Sequence, residues 1–183
     1  MLAPVFGKPR SIASESALYD AAIKILMRRA HSVSEMKKAL IRRTADEDLI
    51  HKVIARLKQS GLIDDARYAK QFARQRTQIR KQGKFRVARE LRARGVPDRH
   101  IDPALAEAAA EVDEASLVRQ RIERKLKSLG SSIAGKRLDD KKIASLYRSL
   151  LRAGFSSDTI RSELRRVSSL ELPETDSASD ETT

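Results

Sequence analysis

Apolar residues in this chain recur at helical spacing, and the same run of them appears three times. Val87, Leu91, Val96, Ile101 and Leu105 return 59 residues later as Leu146, Leu150, Phe155, Ile160 and Leu164, and stand 51 residues earlier as Met36, Leu40, Ala45, Ile50 and Ile54. A register held across a break in the pattern predicts two helices joined by a turn, packed alike each time. The breaks carry a signature of their own: Leu57/Gly61/Leu62, Leu91/Gly95/Val96 and Leu150/Gly154/Phe155. Glycine four residues after a leucine and just before an apolar residue suits a left-handed helix end, with the apolar residue folding back onto the leucine. Thr44 stands where the other two repeats have Gly95 and Gly154. A β-branched residue resists the left-handed conformation, so the first turn is expected to differ.

Upstream of each run lies a polar helix start. Glu15-Ser16-Ala17-Leu18-Tyr19, Asp64-Asp65-Ala66-Arg67-Tyr68 and Asp113-Glu114-Ala115-Ser116-Leu117 are spaced 49 apart. Acids and serine there satisfy free N–H groups and suit the helix dipole. Ser32…Glu35 and Thr44…Glu47 have capping-box spacing. The pattern predicts an all-α chain of three tandem three-helix, helix-turn-helix-like repeats, at 14–63, 64–112 and 113–170. A loop around Gly130–Arg137 lengthens the third. Units this small bury little core alone, so they are expected to stack into an elongated, curved array. Residues 1–13 and 171–183 read as flexible tails, the second of them acidic.

Composition narrows the chemistry. Aromatics are 4% of the chain and tryptophan is absent, so the cores must rest on Ala, Leu, Ile and Val. With no cysteine, disulfides, thiolate metal sites and thiol nucleophiles are excluded. No apolar run approaches the roughly 20 residues of a membrane helix, and there is no secretory leader, so the expected location is the cytoplasm. Charge is placed unevenly. Residues 171–183 hold five acids and no Lys or Arg; setting them aside raises the net charge from +13 to +18 on the rest. Such a field suits a polyanion or an acidic protein surface.

No active site is legible. Gly130-Ser131-Ser132-Ile133-Ala134-Gly135-Lys136-Arg137 approaches a phosphate-binding loop, but Arg137 replaces the magnesium-binding Ser/Thr and no strand precedes it. It reads as an inter-helix loop. His31, His51 and His100 lie far apart without metal-ligand spacing, and read as surface or capping residues. The acids fall mostly at helix starts, where capping explains them. The chain is expected to be no enzyme and to need no cofactor or metal.

Residues 67–94 concentrate the charge: eleven Lys and Arg against one acid, Glu90. At 100° per residue, Tyr68, Phe72 and Ile79 share one helix face and Arg67, Lys70, Arg74 and Lys81 the opposite one. The aromatics should anchor inward and a nearly unmixed basic stripe should face out. The third helices, opening with Asp46-Glu47-Asp48 and Pro97-Asp98, would set carboxylates against phosphates, which argues against sequence-specific reading of a DNA groove. So few aromatics also argue against a base-stacking platform. Contact with phosphate backbones, or docking on an acidic protein, fits better.

Gly61-Leu62-Ile63-Asp64-Asp65-Ala66-Arg67-Tyr68-Ala69-Lys70-Gln71-Phe72-Ala73-Arg74-Gln75-Arg76 resembles the signature of the RecX family of bacterial recombination regulators. Leu91–Val96 is similar to that family's Glu-Leu-x-x-x-Gly-hydrophobic segment, and Tyr147–Ile160 to its Tyr-x-x-Leu-x-x-x-Gly-Phe close. Pro103 departs from the family's unbroken acidic helix; it is expected to split the second repeat's third helix, with Asp102 capping the restart. The resemblance covers residues 17–167. It implies a partner, the RecA recombinase polymerised on DNA, in the setting of recombination, repair and the SOS response. It further implies that the chain modulates, chiefly inhibiting, filament assembly, ATPase and strand exchange. The expected contact residues are Arg67, Lys70, Arg74, Arg76, Arg80, Lys81, Lys84, Arg86 and Arg89, meeting filament DNA or acidic recombinase surface, in a monomer. Two rival readings stand beside it: a non-specific nucleic-acid-binding protein acting through phosphate contacts, and a scaffold joining two proteins.

Overall fold

In a computed structural model, residues 12–128 and 139–170 are described, and all the regular structure among them is helical. Residues 1–11 and 171–183 and the Gly130–Arg137 segment with its phosphate-loop likeness lie outside the described residues, whereas Ile12, expected in the N-terminal tail, packs against the first core and donates to the Arg43 carbonyl. The helices are α1 (Glu15–Leu26), α2 (Val33–Ile41), α3 (Glu47–Gln59), α4 (Asp65–Arg74), α5 (Lys84–Ala93), α6 (Asp98–Glu111), α7 (Glu114–Ser128), α8 (Asp140–Arg152) and α9 (Ser157–Leu170). A π-helical turn, Gln75–Ile79, continues α4.

These helices surround three apolar clusters. Leu18, Met36, Leu40, Ile50, Val53 and Leu57 centre the first. Tyr68, Phe72, Val87, Leu91 and Ile101 centre the second. Leu117, Ile122, Leu150, Phe155 and Ile160 centre the third. Of the fifteen positions in the recurring register, thirteen are buried. Leu105 is half-buried, and Ala45 is exposed. In the first turn Thr44 takes the inward place instead, 5% exposed, because no left-handed residue there folds the next one back.

The helix starts are capped by side-chain oxygen. Ser14 Oγ accepts from the Ala17 N–H, Asp64 Oδ1 from the Ala66 and Arg67 N–H groups, and Asp113 from those of Ala115 and Ser116. Ser32 and Glu35 form the expected reciprocal box. Thr44…Glu47 does not: α3 begins at Glu47, so Asp46 is the cap and accepts from Leu49 at 2.9 Å. Thr44 Oγ1 supports that cap by accepting from the Asp46 N–H. Pro103 does not split α6, which runs unbroken through it. The proline is exposed, and the carbonyl whose bond it deletes belongs to Arg99, also exposed.

The three glycine turns close with left-handed φ of 64°, 72° and 89° at Gly61, Gly95 and Gly154. The next residue's N–H bonds back to the leucine carbonyl five residues earlier: Leu62 to Leu57, Val96 to Leu91, Phe155 to Leu150. Val96 and Phe155 are buried, whereas Leu62 is 44% exposed and Ile63 fills the place against the core.

Two of these turns also join the units. The carbonyl before each second-helix turn is capped by an earlier segment: Ile12 N–H donates to Arg43, Ser32 Oγ to Arg94 and Gly83 N–H to Ala153. At the last junction the Phe85 N–H also donates to the Gly154 carbonyl, at 3.0 Å. The C-terminus of α8 therefore meets the N-terminus of α5, and the C-terminus of α5 meets the N-terminus of α2. Oppositely signed helix ends face each other at both joints, which favours the contact.

Close approach makes the glycines unequal. A methyl group on Gly154 would collide with the backbone nitrogen of Arg86, and one on Gly83 with the carbonyl group of Gly154, whereas one on Gly61 meets nothing within 4 Å. Gly61→Ala is expected to cost about 1–2 kcal/mol, the strain of a left-handed alanine. Gly154→Ala adds the collision and should cost more than about 3 kcal/mol. Gly83 has an ordinary φ of −78°, so Gly83→Ala isolates the collision. Urea denaturation of the three variants checks the order.

Candidate nucleic-acid interface

The basic segment from Arg67 to Arg94 divides into two populations. On α4, Arg67 donates to the Gly61 carbonyl, Lys70 pairs with Glu107 at 2.7 Å and Arg74 with Glu111 at 3.3 Å. Glu107 and Glu111 belong to α6, packed alongside. The expected unmixed stripe is therefore mixed, by acids distant in sequence. These pairs are half-exposed, and exposed pairs contribute only ~0–1 kcal/mol, so an incoming anion can exchange with them at little cost.

The second population follows from the π-helical turn. One wide turn rotates what comes after it, so Ile79 leaves the face shared by Tyr68 and Phe72 and is 74% exposed, while Thr77 turns inward. Lys81 takes φ 51°, ending the helix, so it does not continue the α4 stripe. Gln82 is buried and α5 begins at Lys84 with Gly83 as N-cap. Arg76, Arg86 and Arg94 thereby gather near one carboxylate, with Arg80 beside Arg76. Glu90 lies 3.3 Å from Arg76 and 3.0 Å from Arg86. Burial pushes the Glu90 carboxyl up, but the Arg86 hydrogen bond and the charges of Arg76, Arg86 and Arg94 hold it below the usual glutamate range. Burial lowers the Arg76 guanidinium from its ordinary value, and the neighbouring Arg80, Arg94 and Arg86 push it the same way against Glu90. Arg80 and Arg89 are exposed and have no acid within ion-pair distance among the described residues. Lys84 is exposed, with its ammonium 5.4 Å from the Phe85 ring.

Positive charge continues into the third unit. Arg121 donates to the Lys81 carbonyl at 3.1 Å. Its own burial, then Arg124 and Arg86, lower its pKa. A cleft of ≈ 320 Å³ between α7 and α8 is lined by Arg121, Arg124, Lys125 and Ser128 above Leu146 and Leu150, with no acid in its wall. Arg94, Arg121, Arg124 and Lys125 were not among the residues expected from sequence. The run Arg119–Lys127, five basic residues to one acid, held the signal.

At the other end, Glu35 ties the first unit to the second. It accepts two bonds from Arg29, at 3.0 and 3.2 Å, and one from the Tyr68 hydroxyl at 3.2 Å. Arg94 stands 3.9 Å away. Burial raises the Glu35 pKa, but Arg29 and the Ser32 N–H outweigh it, so the group lies below its ordinary value. Tyr68 and Phe72 stack at 6.0 Å, and both are core residues.

The histidines sit on local backbone or neighbouring cations: His31 Nδ1 near the Arg29 carbonyl, His51 near Lys37 and His100 accepting from Arg99. Among the described residues no three His, Cys, Asp or Glu gather as a metal site, and no helix is long and apolar enough to cross a membrane.

Nine α-helices among the described residues, packed around three small cores and crossed by a band of arginines, define an all-α helical-repeat protein. Two family models match it: RecX, first three-helix domain, at residues 19–57, and RecX, second three-helix domain, at 64–105. The regulatory protein RecX of Halorhodospira halophila is 38% identical over 149 residues, 81% of this chain and 87% of that one. That of Chlorobaculum tepidum is 30% identical over 84% of this chain and 89% of its own. The chain belongs to the RecX family of regulatory proteins. Its fold also matches the crystal structure of RecX from Lactobacillus salivarius, with a TM-score of 0.70 at 23% identity, over 85% of this chain and 97% of that one.

A depressed folded pKa means that Glu35 adds stability above the unfolded glutamate pKa of about 4.3 and that this is lost as pH falls through the folded value. The protection factors of the Ser32 and Arg94 amides, their exchange relative to the intrinsic rate at each pH, should therefore fall on acidification below about pH 4. Glu35→Gln should remove that dependence and lower stability by about 1–3 kcal/mol at neutral pH.

Proposed function

We infer that this chain regulates the RecA recombinase polymerised on DNA, restraining filament assembly, ATP hydrolysis and strand exchange. One observation carries the reading: Arg76, Arg86 and Arg94 crowd around Glu90 with Arg80 beside them, Arg94 reaches a second acid, Glu35, only at 3.9 Å, and Arg121 and Arg124 extend this charge across a unit boundary with no ion-pair partner among the described residues. Like charges held together need an external counter-charge, and a phosphodiester backbone supplies one at regular spacing. Family membership supports the regulatory role, and the resemblance of 61–76 to the recombination-regulator signature supplies the partner. The protein acts by binding, as an elongated cytoplasmic monomer. The nine residues expected from sequence take part in two ways. Arg76, Arg80, Lys81, Lys84, Arg86 and Arg89 lie at the band, while Arg67, Lys70 and Arg74 exchange their internal partners for filament acids or phosphates.

Recombinase ATPase on single-stranded DNA, titrated with this protein at fixed ionic strength, tests the reading. Inhibition far below one molecule per recombinase is expected; inhibition only at DNA-saturating amounts would leave a non-specific nucleic-acid binder. Reversing three exposed cations, Arg80, Arg89 and Arg124, to Glu should weaken inhibition about tenfold or more. It should also flatten the dependence of log K on log salt for single-stranded DNA by about 2, near 0.7 per lost phosphate contact. An unchanged slope would remove the band from the interface.

A further inference from the structure

The joint between the first two units contains a cleft that borders the arginine band, with a rim that the recombinase reading does not use. It encloses ≈ 720 Å³ and is lined by Arg29, Glu35, Phe72, Arg76 and Arg94, with the exposed Gln71 and Gln75 at its rim. That volume lies within the range of small-ligand sites. Phe72 holds two guanidiniums, those of Arg76 and Arg94, 4.7 and 4.6 Å from its ring centre. Both are kept there by the ring although they repel each other.

Their hydrogen-bonding capacity is only partly used. Arg29 consumes Glu35 with two bonds, which leaves Arg94 3.9 Å from that carboxylate. Arg94 otherwise donates to the Glu90 carbonyl through one nitrogen. Arg76 faces the Glu90 carboxylate through its buried Nε at 3.3 Å, an ion pair that does not reach hydrogen-bond geometry, which leaves its terminal nitrogens available. The cleft therefore holds three arginines, one resident carboxylate and spare N–H groups on two of them.

The geometry points to a phosphate-binding site in this cleft, with Arg76 and Arg94 as its paired ligands and Gln71 and Gln75 as neutral donors at the mouth. A carboxylate neutralises one guanidinium, and Glu35 already plays that part for Arg29. A phosphate carries close to two charges and several acceptor oxygens, which matches two forked donors on one ring. The space beyond an ion's own volume accommodates a nucleoside attached to the phosphate. Two sources share this chemistry: a free nucleotide, and the terminal phosphate of a nucleic-acid strand. The site shares Arg76 and Arg94 with the arginine band, whereas Arg80, Arg89 and Arg124 do not line it, so separate variants read the two.

Isothermal titration of the full chain with pyrophosphate, ADP, and a short single strand with or without a 5′ phosphate tests the proposal. Gln71→Glu adds a carboxylate at the exposed rim without touching the core, and should weaken pyrophosphate binding about tenfold or more. Arg94→Gln should do the same, and Arg124→Glu, outside the cleft, should not. ADP binding lost in Gln71→Glu identifies a free nucleotide as the source. A 5′-phosphate preference lost in that variant identifies the strand end. Absence of pyrophosphate binding, or equal weakening by Gln71→Glu and Arg124→Glu, overturns the site and leaves only diffuse attraction. Neither result bears on recombinase inhibition, which the Arg80, Arg89 and Arg124 reversal reads separately.

Discussion

The structure depends on what closes the carbonyl at the end of each unit's second helix. In a free helix the last carbonyls turn to water or to a local cap. Here the carbonyls of Arg43, Arg94 and Ala153 each take a hydrogen bond from a preceding segment: Ile12, Ser32 and Gly83. These contacts set the second helices end to end, so that the acceptor end of one completes the donor end of another. Three small cores, none large by itself, are thereby held by directional bonds that fix how each unit meets the next.

The same joint explains a local irregularity. Helix α5 opens with Lys84, Phe85 and Arg86, with no acid in its first turn and no side-chain cap. Cations there oppose the helix dipole. The end of α8 resolves the conflict by bringing the carbonyls of Ala153 and Gly154 to that terminus. With its N–H groups satisfied by backbone, the first turn of α5 is released from the usual demand for Asp or Ser. It carries arginine instead, beside Arg76 and Arg121. The placement of the basic band and the way the units join are therefore one feature seen from two sides.

Much of this was legible from spacing. The glycine turns, the Ser32–Glu35 box, the starts at Asp64 and Asp113, and thirteen of fifteen core positions follow from local rules that act within one or two turns. Three failures show where such rules stop: at a remote partner, at a change of helix type and at a turn without a left-handed residue. The acids that neutralise Lys70 and Arg74 lie over thirty residues away on α6. A constant 100° per residue carried Ile79 inward, whereas a single π-helical turn sends it out. Ala45 followed the register of repeats whose turns are left-handed, while Thr44, lacking that geometry, turns inward itself. Of the site, the sequence showed where charge is dense but not that the third unit's Arg121 and Arg124 complete it.

The end-to-end bonding gives the array a polarity. Each joint consumes a donor terminus of the earlier unit and an acceptor terminus of the later one, as the two strands of a zipper engage only in one sense. At the first unit the acceptor is occupied by Ile12. At the third, the start of α8 is capped by its own Asp139 side chain. A unit duplicated within such a gene would be read into the stack only if its turn kept the glycine and its second helix opened with a donor for the next unit's carbonyl, as Ser32 and Gly83 do. Lineages that lengthen or shorten the array must change those few positions together.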